Sequence, residues 1–158
     1  MSALVPAPLH RFALKAAHRL RLAWWGWRKP ELHGCNAIVA NAAGEVLLVR
    51  HSYQAPGRWM LPGGGLRRGE RAVDAAVREL LEETGCRLRE CVPVGVDVVA
   101  VRGARNNVHL VAARTDDAPV ADGREIVEAR FFPRNALPDA ITSTAHARIA
   151  RSAQNRAS

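Results

Sequence analysis

An amphipathic pattern lies in the middle of the chain, between two groups of strand-like segments. Apolar residues recur three and four positions apart over about 71–84, which predicts a helix with one buried face. Gly85 follows directly and suits the left-handed position that commonly ends a helix. The apolar positions of this helix are Val73, Ala76, Val77, Leu80 and Leu81.

Short apolar segments separated by turn residues surround the helix and predict a β-sheet. Strands before and after a central helix are typical of an α+β fold, here an α/β/α sandwich with a mixed sheet between helices. A second helical pattern follows the last strand. The predicted strands are Cys35–Ala40, Glu45–Arg50, Trp59–Leu61, Val92–Arg102, Asn107–Arg114 and Ile126–Phe132, and the last helix is Ile141–Ala150.

Residues 9–29 have a separate amphipathic pattern, which we expect to form an extra N-terminal helix ended by Gly26 and Pro30. Three interpretations stay open: a helix docked on the domain or on a second copy, a membrane-surface helix, and an organelle-targeting peptide. The predicted organisation is therefore an N-terminal helix in 1–30, one domain in 31–150 and a tail in 151–158. The apolar stripe of the helix consists of Ala13, Ala17, Leu20, Trp24 and Trp27.

The net charge of +8 is concentrated at the N-terminus. Residues 1–30 contain six of the 23 basic residues and none of the 15 acidic ones, which leaves 17 against 15 for the remainder. A nearly neutral domain argues against a specific nucleic-acid partner. Three cysteines without metal-ligand spacing predict free thiols in a reducing compartment. With no secretory signal or membrane-spanning run, we expect a cytoplasmic protein, with possible peripheral membrane contact or homodimerisation through 9–29.

Three carboxylates near the end of the central helix are the strongest chemical signal. Glu79, Glu82 and Glu83 are three and four positions apart, so they converge on one helix face and repel each other unless a cation lies between them. Carboxylate oxygens without Cys or His suit Mg²⁺, with Mn²⁺ as an alternative. The pattern predicts a metal site that serves a phosphate.

Residues 64–86 resemble the Nudix box, in which Gly, Glu, Arg-Glu, Glu-Glu and Gly recur at fixed spacing. Every fixed position is filled, and only Cys86 departs, at a place where an aliphatic residue is usual. The resemblance, to MutT-like hydrolases and to bacterial Nudix proteins with a basic N-terminal helix and unassigned substrate, implies the Nudix fold. The matching residues are Gly64, Glu70, Arg78, Glu79, Leu80, Glu82, Glu83 and Gly85.

The resemblance also implies roles for individual residues. Glu79, Glu82 and Glu83 match the metal-binding glutamates, and the carbonyl of Gly63 matches a further ligand. Glu70 and Arg78 match residues that order the loop and the carboxylates. The general base comes either from the box, as Glu79 or Glu82, or from a later acid, Glu125 or Glu128, of which Glu128 is the preferred candidate.

Outside the box, Arg50, Tyr53 and Arg102 are the candidate substrate-binding residues. Arg suits phosphate contacts, and Tyr53 can stack on a base. The implied function is Mg²⁺-dependent cleavage of the diphosphate linkage in a nucleoside diphosphate linked to another moiety, such as a nucleoside triphosphate or a nucleotide sugar. The alternatives are a non-catalytic nucleotide-binding regulator on the same fold and a prenyl diphosphate isomerase, whose Cys and Glu context is missing here.

Overall fold

A five-stranded mixed sheet forms the centre of the protein. The computed structural model describes residues 7–28 and 31–154. Within these ranges the strands lie in the order β3-β4-β1-β2-β5, with β1 parallel to β4 and the other neighbouring pairs antiparallel. The elements are α1 (Ala7–Arg28), β1 (Glu31–Ala40), β2 (Val46–His51), α2 (Ala72–Thr84), β3 (Arg89–Val101), β4 (Ala104–Arg114), β5 (Ile126–Phe132) and α3 (Ser143–Gln154).

Strands β1 and β2 are buried on both faces, because their side chains point alternately toward α2 and toward α3. Ala37, Val39 and Leu47 pack with Leu80 of α2. Ile38, Val46 and Leu48 point to the other face, where they pack with Trp59 and with Ile149 of α3. This alternation follows from the two-residue period of a strand. The predicted α+β sandwich with a mixed sheet between helices is confirmed.

Several element ends differ from the predicted ones: β1, β3 and β4 begin three or four residues earlier, and α1 continues through Gly26 to Arg28. Residues 59–61 form isolated bridges to Val49 and Ile141 instead of a full strand. Helix α3 continues to Gln154, four residues into the predicted tail 151–158, because Arg151 in its last turn donates a 2.6 Å hydrogen bond to Asp97 of β3. Residues 155–158 lie outside the described residues. Gly85 ends α2 with a φ of 69°, as the pattern predicted.

The three cysteines are free thiols, as predicted from their number and spacing. Cys35 and Cys86 are buried, and Cys91 is partly exposed. Cys86 is fully buried, so it occupies the aliphatic position of the motif as a small hydrophobe.

Helix α1 confirms the predicted N-terminal helix but presents a different face to the domain. The predicted apolar stripe points outward, since Leu20 is 72% and Trp24 is 51% exposed. Half-buried Leu14, His18 and Leu22 occupy the inward face instead, and α1 contacts β3 and β4. The side chain of Trp27 lies outside the described residues. No helix in the described ranges is long and apolar enough to cross a membrane.

Candidate active site

A glycine-rich loop runs beside β1 and brings the start of the motif to the sheet. The N–H of Cys35 donates to the Gly64 carbonyl at 2.8 Å, and the N–H of Ala37 donates to the Pro62 carbonyl at 2.9 Å. Gly63 has a φ of 147°, and a Cβ there would lie within 3.0 Å of backbone atoms of Cys35 and Asn36. Only glycine fits this position without backbone movement.

Helix α2 positions the candidate carboxylates against this loop. A Cβ on Gly64 would lie within 3.0 Å of the Glu79 carboxylate, so the glycine makes room for that group. Glu82 is more exposed, with 57% of its side chain accessible, while Glu83 is only 5% exposed. The N–H of Gly63 donates to Glu83 at 3.3 Å. The loop and the carboxylates therefore form one unit.

Arg78 joins the loop to the helix through several hydrogen bonds. Its guanidinium donates to both carboxylate oxygens of Glu70, at 2.8 and 2.9 Å, and to Glu79 at 2.7 Å. It also donates to the Gly65 carbonyl at 3.1 Å, and Glu82 lies 3.7 Å away. The hydrogen bonds from Arg78 lower the pKa of Glu70 to about 2, with the N–H of Arg67 as a further cause. This geometry supports the predicted ordering role of Glu70 and Arg78.

Glu79 and Glu83 are more buried than Glu82, and their surroundings disfavour the charged form of each carboxyl group. Burial raises the pKa of Glu83 well above its usual value, the charge of Glu79 raises it further, and the Gly63 N–H opposes the shift. Burial also raises the pKa of Glu79, while the hydrogen bond from Arg78 opposes that shift. A cation placed beside these two groups would relieve the penalty.

The donor set fits a hard divalent cation, although the carboxylates are not gathered around one point. Among the residues that the structure describes, no three His, Cys, Asp or Glu side chains are arranged as a ready-made metal site. Glu79 and Glu82 each form an ion pair with Arg78, and Glu83 accepts a hydrogen bond from the N–H of Gly63. The oxygen ligands, the buried Glu83 and the space at Gly64 nevertheless suit Mg²⁺, after rotation of the exposed Glu82.

A cavity of about 1390 Å³ opens beside these groups. Glu79, Glu82, Glu83 and Gly63 line one part of it, and Tyr53 and Glu125 line an adjoining part. The Tyr53 hydroxyl donates to Glu125 at 3.3 Å. The charge of Glu125 contributes to the raised pKa values of both Glu79 and Glu83, so this downstream acid belongs to the same electrostatic group.

Arg50, Arg102 and Glu128, the predicted substrate-binding arginines and the preferred downstream base, do not line this cavity. Arg50 pairs with Glu128 at 3.0 Å across neighbouring strands, and its guanidinium lies 4.9 Å from the ring centre of Trp59. Arg102 is exposed at the turn between β3 and β4. The structure brings Glu125, and not Glu128, to the carboxylates. The two-residue period of a strand could have predicted the position of Arg50. Arg50 shares a face of β2 with Leu48, which packs toward α3 and away from the carboxylates.

Sequence reasoning missed two buried polar residues that line the cavity. His51 is 6% exposed, and burial lowers its pKa to about 4. Arg148 is also 6% exposed; it donates to Asp97 at 2.8 Å and makes a short hydrogen bond to Asn36. Arg148 shares the buried face of α3 with Ala145 and Ile149, and nothing in the sequence distinguishes it from a surface arginine.

The family comparison covers almost the whole sheet and both packed helices. The family model for the NUDIX domain matches residues 33–152. The chain belongs to the Nudix family. The residues that match the Nudix box are those that the loop and α2 bring together here.

Curated relatives share the part of the chain that contains the site. A Bacillus subtilis protein named as a putative 8-oxo-dGTP diphosphatase is 44% identical over 106 residues, which cover 66% of this chain and 68% of the relative. A Mus musculus 8-oxo-dGDP phosphatase is 32% identical over 107 residues, which cover 65% of this chain but only 32% of the relative. Other relatives include an RNA pyrophosphohydrolase of Bartonella bacilliformis. These names place the chain among hydrolases that act on acid anhydrides.

Solved structures support the fold. The MutT Nudix hydrolase of Burkholderia pseudomallei has a TM-score of 0.68 and 22% identity, covering 76% of this chain and 96% of that chain. The E. coli ORF135 protein has a TM-score of 0.67 and 22% identity, covering 81% and 92%. At this level of identity the similarity establishes the architecture alone.

Proposed function

We propose that this Nudix protein is a Mg²⁺-dependent hydrolase that cleaves the diphosphate linkage of a nucleoside triphosphate or a related nucleoside diphosphate derivative. The observation that carries the proposal is the buried Glu83, which lines an open cavity together with Glu79 and Glu125 and accepts a hydrogen bond from the Gly63 N–H. Such a cluster of carboxylates is costly in the folded protein unless a cation neutralises it, and a bound cation can in turn hold a phosphate.

In the proposed site, Glu79, Glu82, Glu83 and the Gly63 carbonyl would hold the metal. When bound, Mg²⁺ supplies positive charge to the phosphate oxygens, and Mn²⁺ can supply the same. Arg78 holds Glu79 in position and, with Glu70, keeps the glycine loop against α2. Glu125 accepts the proton of the attacking water, because it faces the cavity close to both Glu79 and Glu83.

A matched pair of downstream variants separates the two base candidates. Glu125→Gln is expected to lower kcat about 10²- to 10⁴-fold, the usual contribution of general acid–base catalysis. Glu128→Gln is expected to stay within about threefold of wild type, since Glu128 pairs with Arg50 outside the cavity. Steady-state kinetics on both variants provide the measurement. Equal losses in the two variants, or a loss in Glu128→Gln alone, would contradict the assignment.

The substrate proposal follows the name of the Bacillus relative, 8-oxo-dGTP, and the aromatic Tyr53 in the cavity. The test is a panel of 8-oxo-dGTP, dGTP, a nucleotide sugar and 5′-triphosphorylated RNA, each incubated with the full chain and Mg²⁺. We expect nucleoside monophosphate and pyrophosphate from a triphosphate, and no product after chelation with EDTA. Nucleotide binding without product release from any compound would instead favour the regulatory alternative.

We also propose a cytoplasmic protein whose helix α1 contacts an anionic membrane surface with its outward side. Leu20 and Trp24 are exposed there, and the helix also has exposed basic residues, Lys15 and Arg19, on another face, a combination found in interfacial helices. Co-sedimentation is expected with anionic vesicles and not with neutral ones, and to be reduced in a Leu20→Ala/Trp24→Ala double variant. A stable dimer in sedimentation experiments without vesicle binding would favour homodimerisation through 9–29 instead.

A further inference from the structure

Helix α1 forms part of the wall of the catalytic cavity. Leu14, His18, Arg21 and Leu22 line the same cavity as Glu79, Glu82 and Glu83. Their positions are spaced by four, three and one, so they form one continuous face of the helix. An N-terminal segment outside the Nudix box therefore faces the candidate reaction centre.

The contacts of His18 connect α1 to the substrate side of the cavity. Its ring centre lies 5.5 Å from that of Tyr53, and the Tyr53 ring lies 5.8 Å from His51. Tyr53 in turn donates to Glu125. These aromatic side chains come from α1, from the last residue of β2 and from the segment that follows it, and they line the cavity beside the candidate metal-binding carboxylates.

Positive charge on α1 complements the acidic side of the cavity. Arg21 donates to His18 at 3.3 Å. Burial lowers the pKa of His18, and the charges of Arg21 and Arg102 lower it further, so the inward face of α1 adjoins two guanidinium groups. The pKa of Tyr53 is raised mainly by burial, then by Glu125, while the charge of Arg21 opposes that shift. Tyr53 thus lies within the electrostatic influence of both the acids and Arg21.

The inward face of α1 differs from that of a helix docked only for stability, because it combines Leu14 and Leu22 with the polar His18 and Arg21. Such a helix would bury its largest apolar residues. Here Leu20 and Trp24 remain exposed, while His18 and Arg21 face the cavity. Turning polar side chains toward a cavity is favourable when water or a polar ligand occupies it.

We infer that α1 is a substrate-binding element, in which His18 together with Tyr53 contacts the nucleobase and Arg21 contacts a phosphate oxygen of the nucleoside triphosphate. The inference rests on the proposed function for its choice of ligand. It assigns substrate recognition to a helix that the family motif does not include, and it leaves the chemistry with Glu79, Glu82, Glu83 and Glu125.

The test compares Arg21→Ala with Arg19→Ala in the full chain. Arg19 has the same charge on the same helix and is exposed like Arg21, but it does not line the cavity. Loss of a charge-assisted contact is expected to raise the KM for 8-oxo-dGTP about tenfold or more in Arg21→Ala, with kcat within about threefold of wild type. His18→Ala should raise KM similarly, and His18→Phe should recover most of the loss by keeping a ring beside Tyr53. Arg19→Ala should match wild type.

Equilibrium binding of dGTP with Mg²⁺, measured by calorimetry in a Glu82→Gln background, supplies a readout that does not require turnover. We expect the dissociation constant to rise with Arg21→Ala and His18→Ala and not with Arg19→Ala, while thermal unfolding midpoints stay equal. An Arg21→Ala protein whose KM and dissociation constant equal those of Arg19→Ala would overturn the inference. Absence of turnover in wild type, with dGTP binding still dependent on Arg21, would instead refute the proposed hydrolysis and keep the role of α1.

Discussion

Glu83→Gln is expected to lower kcat about 10³-fold with Mg²⁺, because it removes a buried anion from the metal site and several kcal/mol of charge stabilisation with it. Glu82→Gln should cause a loss of similar order and leave the fold intact, because 57% of the Glu82 side chain is exposed. Steady-state kinetics across a Mg²⁺ titration provide the measurement. Asp74→Asn, a substitution of an exposed acid in the first turn of the same helix, is the matched control and should retain wild-type turnover.

The same Glu83 variant should be more stable than wild type when metal is absent. Burial and the charge of Glu79 raise the folded-state pKa of Glu83, so the folded protein binds this proton more tightly than the unfolded chain. Deprotonation therefore lowers the free energy of unfolding as pH rises above the ordinary carboxyl range, and the neutral amide removes that loss. Thermal unfolding in EDTA at neutral pH should show a higher midpoint for Glu83→Gln. Near-normal turnover in both Glu82→Gln and Glu83→Gln would refute the metal-site assignment.

Gly63→Ala is expected to destabilise the fold by about 2–6 kcal/mol, the sum of a steric clash and a glycine-only backbone conformation. The added Cβ would meet backbone atoms of Cys35 and Asn36, which cannot rotate away as a side chain can. Because whole domains are stable by only about 5–15 kcal/mol, the substitution would remove a large fraction of the free energy of unfolding. Urea denaturation followed by circular dichroism measures the change.

Gly65→Ala is the matched control for this substitution. Gly65 lies in the same loop, has nothing within 4 Å of an added Cβ and does not have a positive φ, so its effect should stay within about 0.5 kcal/mol. Similar urea midpoints for the two variants would show that the approach of the loop to β1 is not required for stability.

Local patterns predicted most of the fold, and they indicated which residues lie together in the candidate site. The spacing of Glu79, Glu82 and Glu83 on one helix determines their common face, and Gly85 ends that helix through its own conformational freedom. The family resemblance identified Glu70 and Arg78, which the structure places in direct contact. These residues could be predicted because they lie close together in the sequence or belong to one motif with fixed spacing.

Relations between distant segments were less predictable. Arg50 and Glu128 both looked suited to a site, but strand register makes them partners of each other on the side of the sheet facing α3. In α1, hydrophobicity favoured the stripe with Leu20 and Trp24, although the domain contacts the helix on another side. Which face docks depends on the partner surface, and a cavity that receives His18 and Arg21 has no signature within the helix itself.

The position of β3 at the edge of the sheet affects how the protein can associate with itself. Strand β3 is an edge strand with exposed Val92, Val96 and Val98, a composition that would invite pairing with a strand of another copy. Two register shifts interrupt its ladder between residues 89 and 95, and Pro93 lacks an N–H to donate. The irregular start of β3 therefore disfavours a continuous ladder with another copy along residues 89–95.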